Sequence, residues 1–137
     1  MFKRILVPVD HTDLVGPRRA LAVATEMARQ NGAELLVMSV IPEIIRLPNL
    51  PEDYGAGAAE HVRGVVRRGL DEAGIDADLE IKQGSVYREI LKLAHARDVD
   101  LIVMASPKGD FPDYPLGPNA ARVTRHANCS VFVIRGQ

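Results

Sequence analysis

The residues with the means to do chemistry fall at two places in the chain. Asp10 closes the apolar run Ile5-Leu6-Val7-Pro8-Val9. A carboxylate at the tip of such a run can accept hydrogen bonds from sugar hydroxyls; it can equally cap the next helix or stand solvated in a turn. Far downstream, Met104-Ala105-Ser106-Pro107-Lys108-Gly109-Asp110 opens a segment that closes at Gly117-Pro118-Asn119-Ala120-Ala121. Gly117 before a helical run leaves backbone N–H groups at a helix N-terminus, which favours anions. Pro118 suits the first helical position by its fixed φ but has no N–H, so Asn119 and Ala120 are the donors there. A Gly-Pro helix start with no ligand is the alternative reading of the same residues.

Other chemistries find less support. There is no G-x-x-x-x-G-K-[ST] phosphate loop, and the turn from Asp10 to Gly16 lacks G-x-G-x-x-G. His11, His61, His95 and His126 lie in different segments without i,i+4 pairing or companion cysteines, which argues against a metal cage. Ser106 lacks the G-x-S-x-G turn that exposes a nucleophile. Cys129 is the single cysteine, so no intrachain disulfide forms, and its place before the last apolar run reads as a small packed hydrophobe. Arg63, Arg67 and Arg68 read as a solvated helix face rather than a binding patch.

The elements that must position these residues are legible from periodicity. Five apolar runs predict strands: Ile5–Val9, Leu35–Ile41, Leu79–Lys82, Leu101–Ala105 and Val131–Ile134. Four are nearly continuous, as in a parallel sheet covered on both faces. The third alternates, with Leu79 and Ile81 against Glu80 and Lys82, and so belongs at an edge. Between the runs lie helical patterns over Leu14–Asn31, Ala58–Ala73, Val86–Arg97 and Pro118–His126, with Gly32 and Gly74 as stops and Ser85 as an N-cap. The order β-α-β-α-β-α-β-α-β is that of an α/β domain with a parallel sheet. Two connections, 42–57 and 107–117, exceed the roughly 2–6 residues such joins need. Long loops at strand C-termini are where open α/β sheets bind ligands.

At 137 residues the chain is one domain, and 47% hydrophobic with 26% charged residues is ordinary globular composition. Seventeen Lys+Arg against eighteen Asp+Glu give a net charge of −1, leaving no basic excess for nucleic acid or a membrane surface. No apolar run approaches the roughly 20 residues of a membrane span. The start, Met1-Phe2-Lys3-Arg4, has no signal-peptide pattern, and the expectation is a cytoplasmic domain.

Taken together, Ile5-Leu6-Val7-Pro8-Val9-Asp10, Val40-Ile41-Pro42, Gly84-Ser85, Leu101 to Ser106, and the ending from Arg125-His126-Ala127-Asn128-Cys129 to Arg135 resemble the universal stress protein family. The resemblance covers essentially the whole chain as one such domain. It is most specific in the last 35 residues. It implies a Rossmann-like, single-domain α/β fold with strand order 3-2-1-4-5 and helices on both faces. The nucleotide-binding branch of the family carries G-x2-G-x9-G-[ST] in the loop after the fourth strand. Here Ala105 replaces the first glycine, the spacing to Gly117 is one residue short, and Pro118 replaces the hydroxyl residue. The loop is similar to a bacterial variant in which Ala-Ser opens it and Gly-Ser-Asn-Ala-Ala closes it.

Carried over residue by residue, the resemblance implies that Pro8, Val9 and Asp10 line the adenine and ribose side, with Val40 on the base. Met104, Ala105, Ser106 and Gly109 form the near wall, and Gly117, Asn119 and Ala120 receive phosphates. The implied ligand is ATP, or ADP or AMP, with magnesium as a companion, and the implied role is a nucleotide-binding regulator in stress responses. A nucleotide-independent interaction module of the same fold is the other reading. The last strand, through Val131, Phe132 and Val133, resembles the one by which such subunits pair as homodimers.

Overall fold

The computed structural model describes residues 1–14, 17–42, 54–106 and 116–135, with side chains omitted for 54–56. In chain order the elements are β1 (Arg4–Pro8), α1 (Arg18–Asn31), β2 (Glu34–Ile41), α2 (Tyr54–Glu72) and β3 (Asp78–Gln83). Then come α3 (Val86–Ala96), β4 (Leu101–Ser106), α4 (Pro118–His126) and β5 (Ser130–Arg135). All strand pairs are parallel and the sheet order is β3-β2-β1-β4-β5, as the resemblance implied.

Alternation along the strands divides the core into two layers. Ile5, Val7, Val37, Leu101 and Val103 pack under α1 and α2 with Ala20, Leu21, Ala24, Val62, Val66 and Leu70. Leu6, Leu36, Met38, Ile102 and Met104 face α3 and α4 with Ile90, Leu93, Ala94, Ala120 and Val123. Small residues on α1 let that helix lie close to the sheet. Gly32, at φ 64°, ends it in the left-handed conformation that glycine adopts without strain.

Helices α3 and α4 begin at Val86 and Pro118 as the periodicity predicts, but the starts of α1 and α2 depart from it. The pattern predicts a helix from Leu14, but α1 starts at Arg18 after Pro17, whose ring fixes φ and removes the N–H. Leu14 still packs on the core, from outside the helix. The second helix starts at Tyr54 instead of Ala58. Ser85 stands at the N-cap of α3 but makes no side-chain cap hydrogen bond.

Arg63 and Arg67 are more than a solvated face. Their guanidinium Nη1 atoms donate to the Leu79 and Ala77 carbonyls at 3.0 and 3.1 Å, tying α2 to β3 and the residue before it.

The sheet opens where the ligand rule for such folds expects. β1 matches β2 from Arg4↔Glu34 to Pro8↔Met38, but it matches β4 only at Ile5↔Leu101 and Leu6↔Ile102. At the near end Asp100 holds the two strands together: its carboxylate oxygens accept from the Lys3 and Arg4 amides at 2.8 and 3.0 Å. At the far end they part, because their chains leave toward opposite edges of the sheet. This is the topological switch point.

Candidate functional site

Past the switch point lies a cleft of about 520 Å³, within the roughly 300–1,000 Å³ typical of small-ligand sites. Pro8, Val9, Asp10, Val40, Met104, Ala105, Ser106, Gly117, Asn119 and Ala120 all line it. Gly109 lies outside the described residues. Val40 and Met104 are buried, and Val86 and Ile90 of α3 join them to make an apolar wall.

The β1 end of the cleft is built by a short hydrogen-bonded turn. Val9 extends the pairing with β2 through its N–H to the Met38 carbonyl at 2.8 Å, and Asp10 then leaves the sheet. Asp10 Oδ1 accepts from the Thr12 amide at 2.9 Å and the Thr12 hydroxyl at 2.6 Å. This local turn is the structural role open to the residue. Both contacts fall on Oδ1, so among the described residues Oδ2 keeps its lone pairs for an incoming hydroxyl.

Beneath the turn sits a contact that sequence reasoning missed. The buried Ser39 hydroxyl donates to the Val9 carbonyl at 2.9 Å, and His11 Nδ1 lies 3.0 Å from the same oxygen. A hydroxyl has one proton, and a carbonyl only accepts. With the Ser39 proton directed to Val9, the His11 Nδ1 contact is one in which the ring donates to the hydroxyl oxygen. His11 also lines the cleft.

The α4 end is organised by Ser106. Its buried Oγ accepts from the Gly117 amide at 2.9 Å, pinning the helix start to the tip of β4. Ala121 donates to the Gly117 carbonyl at 2.9 Å, the first bond of the helix. The Asn119 and Ala120 amides then stand in the first turn without an intrahelical acceptor. Gly117 has φ −61°, and among the described residues an added Cβ would meet only Ser106 Oγ at 3.8 Å, so neither the backbone nor those residues require glycine there. A side chain able to cap α4 is given up at the cleft wall.

Opposite, the first turn of α1 has no acidic residue and begins with Arg18 and Arg19. Arg19 lines the cleft. Cations at a helix N-terminus oppose its dipole.

No three His, Cys, Asp or Glu side chains among the described residues are grouped to hold a metal. A second hollow of about 170 Å³ between the ends of α3 and α4 is lined by His95, Asp98, His126 and Cys129 among others. Burial, reinforced by the Asp100 carboxylate, pushes the Cys129 thiol above its ordinary pKa, which keeps it protonated and weakly nucleophilic. No helix among the described residues is long and apolar enough to cross a membrane.

These features define a doubly wound α/β domain with a ligand-sized crevice at its switch point. The universal stress protein family profile matches residues 1–135, and the chain belongs to that family. Universal stress protein G of Shigella flexneri is 28% identical over 145 residues, covering 98% of this chain and 100% of that protein. A universal stress protein of Methanocaldococcus jannaschii is 28% identical over 147 residues, 98% of this chain and 83% of its own. Among solved structures, UspA of Lactobacillus plantarum superposes with a TM-score of 0.71 at 23% identity, over 98% of each chain. A universal stress protein in complex with cAMP superposes with a TM-score of 0.62 at 18% identity, over 97% of each chain.

Proposed function

We propose that the protein binds an adenine nucleotide in this cleft and acts in stress responses as a regulator whose state depends on occupancy. The observation that carries the reading is the meeting of three groups in one cavity. Asp10 Oδ2 offers an acceptor for ribose hydroxyls; Val40, Met104 and Ile90 offer an apolar wall for a base; the start of α4 offers amides for phosphate. The cAMP complex of a structural neighbour agrees with a nucleotide as ligand. ATP, ADP and AMP are the candidates. Among the described residues Asp10 and Asp13 are the carboxylates lining the cleft; magnesium would arrive with the nucleotide's phosphates and keep several waters.

Freshly purified protein is denatured and the supernatant read by mass spectrometry. The chain has no Trp and three Tyr, so bound adenine would also stand out in the near-ultraviolet spectrum. A released adenine nucleotide, or a calorimetric titration with one, supports the reading. No released nucleotide, no heat and no thermal shift at millimolar nucleotide would replace it with the interaction-module reading. One observation favours that alternative: the Gly117 amide is already taken by Ser106 and Pro118 has none. We also propose that two copies pair through β5.

A further inference from the structure

We propose that the groove between α3 and α4 docks an acidic amphipathic segment of a protein partner. Its carboxylates would meet Arg88, Arg122 and Arg125, and an apolar side chain would enter the hollow between the helix ends. This surface is separate from the nucleotide cleft, because the two hollows share no lining residue.

Helical spacing makes the groove. Tyr87, Leu91 and His95 form an i,i+4 row on α3, and Arg122 and His126 form the facing row on α4. The rows meet where the Tyr87 ring lies 5.2 Å from the Arg122 guanidinium and 6.4 Å from the His126 ring. Leu91, His95 and His126 continue into the hollow of about 170 Å³, which Ala94, Val99 and Ala127 also line. That hollow lies where β4 and β5 begin, at the opposite end of the strands from the nucleotide cleft. From Tyr87 to His95 the row runs about 12 Å, the length of about two helical turns. A cavity of about 150 Å³ holds a benzene ring, so the hollow has room for one apolar side chain.

Charge selects the partner. α3 and α4 carry Arg88, Lys92, Arg122 and Arg125 against the single acid Glu89, on a chain whose net charge is −1. Glu89 is held by Lys92 at 3.5 Å. Among the described residues the three arginines have no carboxylate partner. The helix dipole favours Arg125 and His126 in the last turn of α4, but it disfavours Arg88 in the first turn of α3. Arg88 instead donates from Nε to the Tyr87 hydroxyl at 3.1 Å, with its guanidinium 5.7 Å from the ring centre. Contact with Tyr87 restrains both Arg88 and Arg122, so less side-chain freedom is lost when a carboxylate arrives. Arginine and tyrosine beside a socket are the residue types on which interface energy concentrates. A nucleic acid fits less well. Three arginines make no track along a phosphate backbone, and the Tyr87 ring, engaged by Arg88, Arg122 and His126, is not free to stack a base.

The test is fluorescence anisotropy on the full chain with a labelled peptide of glutamate carrying leucine at helical i, i+3, i+4 and i+7 positions. Three probes run beside it: the peptide with lysine for glutamate, the peptide with serine for leucine, and a single-stranded oligonucleotide. The glutamate–leucine peptide is expected to bind about tenfold or more tighter than each of the three, and to weaken as salt rises. Arg122→Glu combined with Arg125→Glu, both at exposed positions, is expected to lower that affinity about tenfold or more. Circular dichroism, sedimentation and nucleotide titration of the double variant are expected to match wild type. If its circular dichroism is lost, Arg88→Glu gives the same reading at another exposed position. No binding of the peptide, equal binding of the lysine peptide, or unchanged affinity in a folded charge-reversal variant overturns the docking surface. Tighter binding of the oligonucleotide assigns the face to nucleic acid, and an altered oligomeric state in the double variant assigns it to a second copy; either overturns the acidic-partner inference. Equal binding of the serine peptide removes the hollow from the site.

Discussion

At the scale of single residues, Asp10 serves two masters, and the two can be separated. Oδ1 holds the Thr12 turn, while Oδ2 has no hydrogen-bond partner among the described residues. Asp10→Asn keeps an oxygen for the turn and removes the charge. It is expected to weaken nucleotide binding tenfold or more, since a hydrogen bond to a charged group contributes roughly 1.5–3 kcal/mol. The thermal midpoint is expected to move by less than about 2 °C. An unchanged dissociation constant removes Asp10 from the site. Cys129 gives a second prediction at this scale. Its raised pKa follows first from burial, so the native thiol is expected to react with a disulfide reagent at pH 7.5 far more slowly than the same thiol in denaturant. Equal rates would contradict the burial argument.

At the scale of elements, the parting of β1 and β4 depends on their being held at the other end by Asp100. Burial of that carboxylate acts to raise its pKa, but the hydrogen bonds from the Lys3 and Arg4 amides outweigh it, and the net shift is downward. A group with a folded pKa below its unfolded value contributes stability above the unfolded value, near 3.8, and loses it as pH falls through the folded one. Asp100→Asn turns one acceptor into a donor facing an amide. It is expected to cost about 1–2 kcal/mol at pH 7, with the deficit against wild type shrinking below about pH 4. Chemical denaturation at pH 7 and pH 3 reads this; a deficit that does not shrink would mean the carboxylate is not the source.

The same elements show what a sequence carries and what it does not. Strand alternation and helical periodicity are local, and the element order and the wet edge at β3 follow from them. The starts of α3 and α4 followed as well, but those of α1 and α2 did not; in α1 the apolar pattern continues through Leu14 while the helix begins after Pro17. Asp10 and the α4 start were legible because each closes an apolar run or opens a helix. The Ser39–His11 contact spans 28 residues and the Ser106–Gly117 bond spans 11. Each exists only once the crossovers bring the strand tips together. Val86 and Ile90 read as ordinary helix residues until the fold sets them against the cleft.

At the scale of the whole molecule, the two edges of the sheet are treated differently. β3 carries Asp78, Glu80 and Lys82; Arg97 reaches Glu80 at 3.0 Å and Asp78 at 3.6 Å, and Arg63 binds the Leu79 carbonyl. Charges of this kind discourage another strand from adding. β5 has no such cover among the described residues. Val131 and Val133 are half-buried against the α3 and α4 layer, and Phe132, on the other face, is 44% exposed. An apolar edge strand with unpaired N–H and C=O groups is a template for another chain. Antiparallel pairing of β5 with its copy about a two-fold axis satisfies those groups and covers both phenylalanines at once. A dimer is therefore expected by sedimentation at micromolar concentration. Val133→Asp places a charge beside that seam but also against the core, so aggregation of that variant alone decides nothing about pairing. Phe132→Lys is the cleaner probe, because the position is exposed and lysine is a residue that natural edges use to stay unpaired. It is expected to give a folded monomer with wild-type circular dichroism. A wild-type monomer, or a Phe132→Lys dimer as tight as wild type, would rule out β5 as the seam.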